Sequence, residues 1–395
     1  MKKAIPYIAL IPLVVLALTP PWRMVLDCKL NSLFWLYMVF SSGFLTFLYM
    51  NFKVSVFLKL FLIWCFVSCF LSYAPYLCFT MYWSMIAGAY YYLLCKQIED
   101  FEPVKKVIQA LFFFVTLLII VQLFGKDTLL NFNQKDPLVL GTIGNYMILG
   151  SLVCILAPFL IQISWLNWIP VILIAFITKS SGTVLSIFAG LGVYLSYIAI
   201  RRYWNDSRRH QGGFIGIMAR GRLVMAIVLT ASVIVATPVF MAYKTGDFKV
   251  FTTAGRYQVW KRTVQLANNR PQGYGVATYR LIFPLLSQDL KSSVGANGEK
   301  WEYENTTGKG LAWRKAHNCF TQILFETGWY GFVLFMGFIG AIAWRVRRDP
   351  LKLAGLAILG VNMMVHFPSR MTQSVLIMIM YLAFCEAKEK IYGTR

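Results

Sequence analysis

Charge is scarce in this chain, and negative charge is scarcer still. Asp, Glu, Lys and Arg make up 14% of its 395 residues, where a soluble domain carries roughly 25%. Acidic residues number 16 against 38 basic ones, a formal net charge of +22. The 8 cysteines form no CxxC pair and mostly sit in apolar stretches, so they read as small apolar residues and not as a disulfide framework or metal site. No Walker loop, HExxH pair or glycine-rich dinucleotide fingerprint is present. ATP hydrolysis, zinc proteolysis and hydride transfer therefore lack support. What fills the chain is apolar sequence, 58% hydrophobic and 16% aromatic. It comes in runs of about 20 residues, the length that crosses a hydrocarbon core roughly 30 Å thick. A cytosolic enzyme, a secreted disulfide scaffold and a disordered chain are excluded on that ground.

With Pro, Gly and charge clusters as breaks, hydropathy predicts an all-α polytopic membrane protein of about twelve spans. These are Ile5–Leu18, Leu30–Tyr49, Val54–Tyr73, Pro75–Cys95, Val104–Phe124, Leu138–Ile163, Trp165–Thr178, Thr183–Ile200, Leu223–Tyr243, Cys319–Trp344, Leu353–His366 and Thr372–Ala387. The seventh and eleventh are short, so an in-plane segment in place of either stays open. The first run is followed by no small-residue cleavage site and is read as a membrane helix. With the N-terminus inside, inner segments hold 20 of the 38 Lys and Arg, short outer loops 6, and one long outer segment the remaining 12. Short loops decide orientation and long translocated segments are exempt, so both termini are expected inside. The chain then divides into residues 1–243 with nine spans, an outer segment 244–316, and residues 317–395 with three spans.

The outer segment is the only polar part of any length. Tyr257, Trp260, Val264 and Ala267 recur at helical spacing, flanked by Arg256, Lys261 and Arg262. This predicts an amphipathic helix over 254–268 lying at the outer interface. A turn at Arg270-Pro271-Gln272-Gly273-Tyr274-Gly275 and a polar loop from Ser287 to Gly310 are expected to follow.

Three groups of residues are candidates for chemistry. His317 starts the tenth span, and Asn318, Gln322 and Glu326 follow at four-residue spacing on one helix face. Polar side chains along such a stripe must face a cavity or protein, because lipid cannot satisfy them. The positive helix end and neighbouring Arg314 and Lys315 favour a neutral imidazole, the form a general base needs. An interfacial histidine beside a helix cap at Asn318 is the plainer alternative. Arg256, Arg270 and Arg280 form the second group. Guanidinium forks bind phosphate oxygens in pairs and stay charged near neutrality, although any basic interfacial helix also meets anionic headgroups. The third group is the outer turn Lys179-Ser180-Ser181-Gly182, with His366 and Arg370 at another outer turn. The basic loop 201–222 is explained by orientation, which leaves no reason to invoke nucleic acid.

The order Gly255-Arg256-x3-Trp260, Pro271-x-Gly273-x-Gly275, a polar loop, then His317-Asn318-x3-Gln322-x3-Glu326-x-Gly328 resembles the outer-loop signature of the O-antigen ligase/polymerase family. Lys179-Ser180-Ser181-Gly182 resembles that family's Ser-Arg-Gly loop, with Lys and Ser substituted. The likeness covers roughly the last 220 residues. It implies a bacterial inner-membrane glycosyltransferase of the C-type architecture, with a periplasmic active site. It also implies an undecaprenyl diphosphate-linked glycan as donor and, for a ligase, lipid A-core as acceptor. By the same resemblance Arg256 and Arg280 would bind the diphosphate, His317 would activate the acceptor hydroxyl, and transfer would be inverting and need neither metal nor other cofactor. Asn318, Gln322, Glu326, Lys179, Arg270 and Arg370 would have supporting roles. The scarcity of Asp and Glu in the outer segment fits, since neither paired carboxylates for hydrolysis nor an acidic metal cluster is present there. A polymerase joining carrier-linked units would use the same donor and face. A transporter or flippase is the rival of another class and should show ionisable residues or broken helices inside the membrane, with Glu326 the clearest candidate.

Overall fold

A computed structural model describes residues 54–123, 146–178, 180–209, 256–287, 316, 318–365 and 372–387. Every regular element among them is helical. In chain order these are α1 (Val56–Phe70), α2 (Pro75–Cys95), α3 (Glu102–Leu123) and α4 (Tyr146–Ile163). A 3-10 turn (Trp165–Asn167), α5 (Trp168–Ile177) and α6 (Ser181–Arg209) follow. Last come α7 (Arg256–Asn269), α8 (Tyr279–Leu286), α9 (Cys319–Arg345), α10 (Pro350–Val365) and α11 (Thr372–Glu386). Residues 182–201 of α6 and all of α9 are long and apolar enough to cross a membrane, and five further apolar helices are shorter. Nine expected spans fall on these helices, while Ile5–Leu18, Leu30–Tyr49 and Leu223–Tyr243 lie outside the described residues.

Two boundaries show how the helices are delimited. α2 begins with Pro75 in its first turn, where the missing N–H has no intrahelical partner to lose. α6 runs on to Arg209, past the apolar stretch that ends at Ile200. Charge ends a span there, but no Gly or Pro stands in the way of the helix.

The described residues form two compact units. The first combines α1, α2, α7, α8, α9 as far as Ile342, and α11. Here α2 packs on α11, with Gly88 set against Ile379. At one end of this pair the Glu386 carboxylate accepts from Tyr92 Oη at 2.6 Å and pairs with Lys96 at 2.5 Å. Aromatic contacts tie α1 to α9, Phe61 to Phe335 and Trp64 to Tyr330, with ring centroids 5.7 and 5.1 Å apart. The second unit is built on α4, buried on nearly every side from Val153 to Ile161. A helix apolar all round belongs in the middle of a bundle, and α3, α5 and α6 surround it. α10 joins this unit through Asn362, whose amide donates to Ser151 Oγ at 3.2 Å. It also packs against α6, where Gly190 sits so close to Ile358 that a Cβ would come within 2.3 Å of its side chain.

Candidate functional site

Residues 256–287 are built onto a break in α9. Gly328 has φ 69° and ψ −174° in the middle of that helix, which interrupts the backbone ladder. Four backbone groups around the break find partners elsewhere. Phe325 O accepts from Tyr274 N–H at 3.0 Å and Glu326 O from Gly275 N–H at 2.8 Å. Thr327 O accepts from the Trp64 indole at 2.7 Å, and Trp329 N–H donates to Pro271 O at 2.9 Å. Buried backbone groups have to be paired, so the Pro271-x-Gly273-x-Gly275 and Glu326-x-Gly328 motifs are two halves of one joint. The glycines are there because the backbones nearly touch. A Cβ on Gly328 would lie 2.0 Å from Pro271 O, and one on Gly273 2.4 Å from Gly328 N.

Around this joint lies an apolar core of Val259 and Leu266 from α7, Tyr274, Tyr279 and Phe283 from the turn and α8, Ala316, and Phe325 from α9. Tyr274 stacks on Phe325 at 4.4 Å and 12°, and Tyr279 meets Phe325 edge-on at 5.0 Å. α8 is an element the sequence reading did not anticipate. Eight residues interrupted by Pro284 are too short for a helical period to show, and only the buried pair Tyr279 and Phe283 hinted at one face.

The helix expected over 254–268 is present as α7, Arg256 being its first residue. It holds both ends of the next loop. The Trp260 indole donates to Ala316 O at 2.7 Å, and Arg262 donates to Leu286 O at 2.9 Å. Arg262, on sequence alone a headgroup contact, thus ties α7 to the end of α8. Arg256 precedes Trp260 by four positions, and Ala316 immediately precedes His317 in the chain.

Arg270 engages the carbonyl of Leu71 and lies over two rings, 4.2 Å from the centroid of Tyr73 and 5.3 Å from that of Tyr274. Ser72 Oγ donates to Tyr274 O at 2.9 Å. These contacts fasten the turn between α1 and α2 to the turn that follows α7, so Arg270 is a latch between two pieces of backbone. Burial raises the Tyr274 phenol above its ordinary pKa, with Arg270 and Arg262 pulling the other way, so at neutral pH it remains a donor. Its hydroxyl donates to Leu266 O at 3.3 Å.

Along α9 the expected stripe divides into different roles. Asn318 caps the helix, its Oδ1 accepting from Phe320 N–H at 2.9 Å and Thr321 N–H at 3.2 Å. Gln322 donates to Glu326 Oε1 at 2.8 Å, and Glu326 Oε2 accepts from Ala277 N–H at 2.9 Å. All three are buried, and these contacts are with protein. Arg280 is exposed in the first turn of α8, and Ser180 is buried in the second unit, ahead of α6. His317, Lys179, His366 and Arg370 lie outside the described residues, as does the side chain of Arg256.

No curated protein and no solved structure matches the chain. Residues 165–336 match the family model described as Wzy_C, O-antigen ligase. That stretch runs from the 3-10 turn into α9 and takes in α7, α8, the backbone joint and every candidate residue except His366 and Arg370, so over this part the chain is similar to the O-antigen ligase/polymerase family.

Proposed function

We propose that the protein is an O-antigen ligase of the bacterial inner membrane. It moves a glycan from an undecaprenyl diphosphate carrier to lipid A-core at the periplasmic face. The observation that carries this reading is the hydrogen bond from Trp260 to Ala316 O. It ties the helix that begins at Arg256 to the residue next to His317, and so joins the anion-binding and base-bearing parts of the motif.

The chemistry asks little of the protein beyond placement and charge. The acceptor hydroxyl attacks the anomeric carbon while the bond from that carbon to the diphosphate oxygen breaks, so the configuration inverts. His317 takes the hydroxyl proton, and undecaprenyl diphosphate leaves with its charge held by Arg256 and Arg280. The Arg256 guanidinium stabilises charge that grows on the leaving oxygen, and Arg280 grips the diphosphate alike before and during transfer. Holding donor and acceptor together supplies much of the remaining acceleration.

Contacts within each unit support the expected orientation. Arg270, Ser72 and Tyr274 join the turn at 71–74 to the long segment, and charge counting puts both outside. Lys96 pairs with Glu386, and Tyr197 Oη donates to Arg348 O at 2.9 Å, each joining segments expected inside. The break at Gly328 is a feature a transporter would also have, but the backbone groups it frees are held by protein and Glu326 is bound to backbone and Gln322. This favours the transferase.

The test is transfer in vitro with purified protein, lipid-linked glycan and lipid A-core. His317→Ala is expected to abolish transfer, and full activity in that variant refutes the assignment of the base. In a deletion strain, loss of all long chains with carrier-linked polymer accumulating marks a ligase. Core bearing a single repeat marks a polymerase instead.

A further inference from the structure

Transfer as written leaves Glu326 without a task, yet its carboxylate is buried and its two oxygens serve different partners. Oε1 accepts from Gln322 on its own helix, and Oε2 from the backbone N–H of Ala277, 49 positions away. Ala277 has φ 61°, and among the described residues it alone has a left-handed backbone without being glycine. An L residue avoids that region because Cβ crowds the following carbonyl, so something must hold it there, and a charge-assisted hydrogen bond is the strongest local means. The turn continues directly into α8. Thr278 Oγ1 donates to Gly275 O at 2.6 Å, Tyr279 and Phe283 bury against Phe325, and Arg280 emerges exposed between them. Phe325 thus fixes the buried face of α8 and Glu326 fixes its entry angle, which together set the direction in which Arg280 leaves.

We propose that Glu326 is a positioning residue for donor binding. Its carboxylate holds Ala277 in the left-handed conformation and so aims Arg280 at the donor's diphosphate, a role that rests on the reading of Arg280 given above. Glu326 touches no substrate and moves no proton.

Donor KM and kcat are to be measured on purified full-length protein as wild type, Glu326→Gln, Arg280→Ala, the Glu326→Gln/Arg280→Ala pair and the Glu326→Gln/Ala277→Gly pair. Glutamine puts a neutral amide oxygen in place of the charged acceptor, so the bond that holds Ala277 N–H loses its charge assistance. Glu326→Gln is expected to raise donor KM about tenfold with kcat altered less than about twofold. Added to Arg280→Ala it should cause no further loss, because both act through one group. Ala277→Gly reaches the same backbone angles without a carboxylate to hold it, and should bring KM back to within about threefold of wild type. An unchanged KM in Glu326→Gln, losses that multiply in the Arg280 pair, or a defect that Ala277→Gly leaves in place each overturn the positioning role. Should Glu326→Gln not accumulate as folded protein, Ala277→Val disfavours the same turn from the other end of the hydrogen bond. It is expected to raise KM by a similar factor, and an unchanged KM overturns the proposal. Binding of undecaprenyl diphosphate alone separates the two levels. A wild type that neither transfers glycan nor binds this lipid overturns the donor reading, whereas a wild type that does both beside an unaffected Glu326→Gln overturns only the positioning role.

Discussion

Gly328→Ala puts the backbone joint under direct test. Its φ of 69° with ψ −174° falls in a region essentially reserved for glycine, which costs another residue roughly 1–3 kcal/mol. The added Cβ would also lie 2.0 Å from Pro271 O and 2.5 Å from Gln272 C. Both are backbone atoms, so no rotamer change relieves the contact and the segment 271–273 must move away. Three hydrogen bonds span the gap that would open: Tyr274 to Phe325, Gly275 to Glu326 and Trp329 to Pro271. At about 0.5–1.5 kcal/mol each, their weakening brings the total to about 3–5 kcal/mol, in the upper tail for a single substitution. Gly340→Ala is the matched control. That glycine sits in the same helix with nothing within 4 Å of a built Cβ, so alanine should be neutral or gain up to about 1 kcal/mol in helix propensity. Thermal unfolding of the detergent-solubilised proteins should show Gly328→Ala several degrees below wild type and Gly340→Ala at or above it. Equal midpoints for the two variants would refute the claim that the outer segment is spliced into α9 through a glycine contact.

Further outcomes follow from the contacts around the joint. Trp260→Phe keeps an aromatic ring and removes the N–H that Ala316 O accepts. It should lower kcat about tenfold to a hundredfold through misplacement of the catalytic backbone, and initial rates equal to wild type would count against the Trp260 anchor. Glu386→Ala removes the partner of Lys96 and Tyr92, with the Glu386 side chain 1% and the Lys96 side chain 17% exposed. About 3 kcal/mol of stability should be lost, read as a drop in unfolding midpoint that Glu386→Gln shares only in part. With His317 as general base, kcat/KM should rise with pH as the imidazole loses its proton and level off above that point. A rate independent of pH between 5 and 8, the window of an ordinary imidazole, would remove histidine from the role.

The regular elements are legible in the sequence alone, and the joint is not. Apolar length located α2 at Pro75–Cys95 and α9 from Cys319 onward, and three- and four-residue spacing located α7, because each signal is local to its own helix. Gly328 closes the signature that begins at His317, but nothing local in the sequence marks it as a break. What makes it a break is supplied by Pro271, Tyr274 and Gly275, more than fifty positions earlier, and by Trp64 in α1. The stripe Asn318, Gln322 and Glu326 shows in the sequence as polar groups that need partners. Their separate tasks of capping, bridging and holding a left-handed alanine depend on a turn whose geometry no periodicity reports. Arg262 and Arg270 likewise read as charge, and they act in part by donating to the carbonyls of Leu286 and Leu71.

Trp260 and Arg262 stand two residues apart on one helix and grip Ala316 and Leu286, which flank the polar stretch expected to be a loop. A loop anchored at a fixed span behaves as a replaceable cassette. Doubling the length of a flexible connection costs only about 0.6 kcal/mol in closure entropy, and both anchors are made by residues at its ends. Insertions, deletions and wholesale exchange between these anchors are therefore expected to leave the flanking scaffold as it is. Selection can rework what the loop recognises without disturbing the fold, and a chimaera cut at Leu286 and Ala316 is the graft with the best chance of remaining folded.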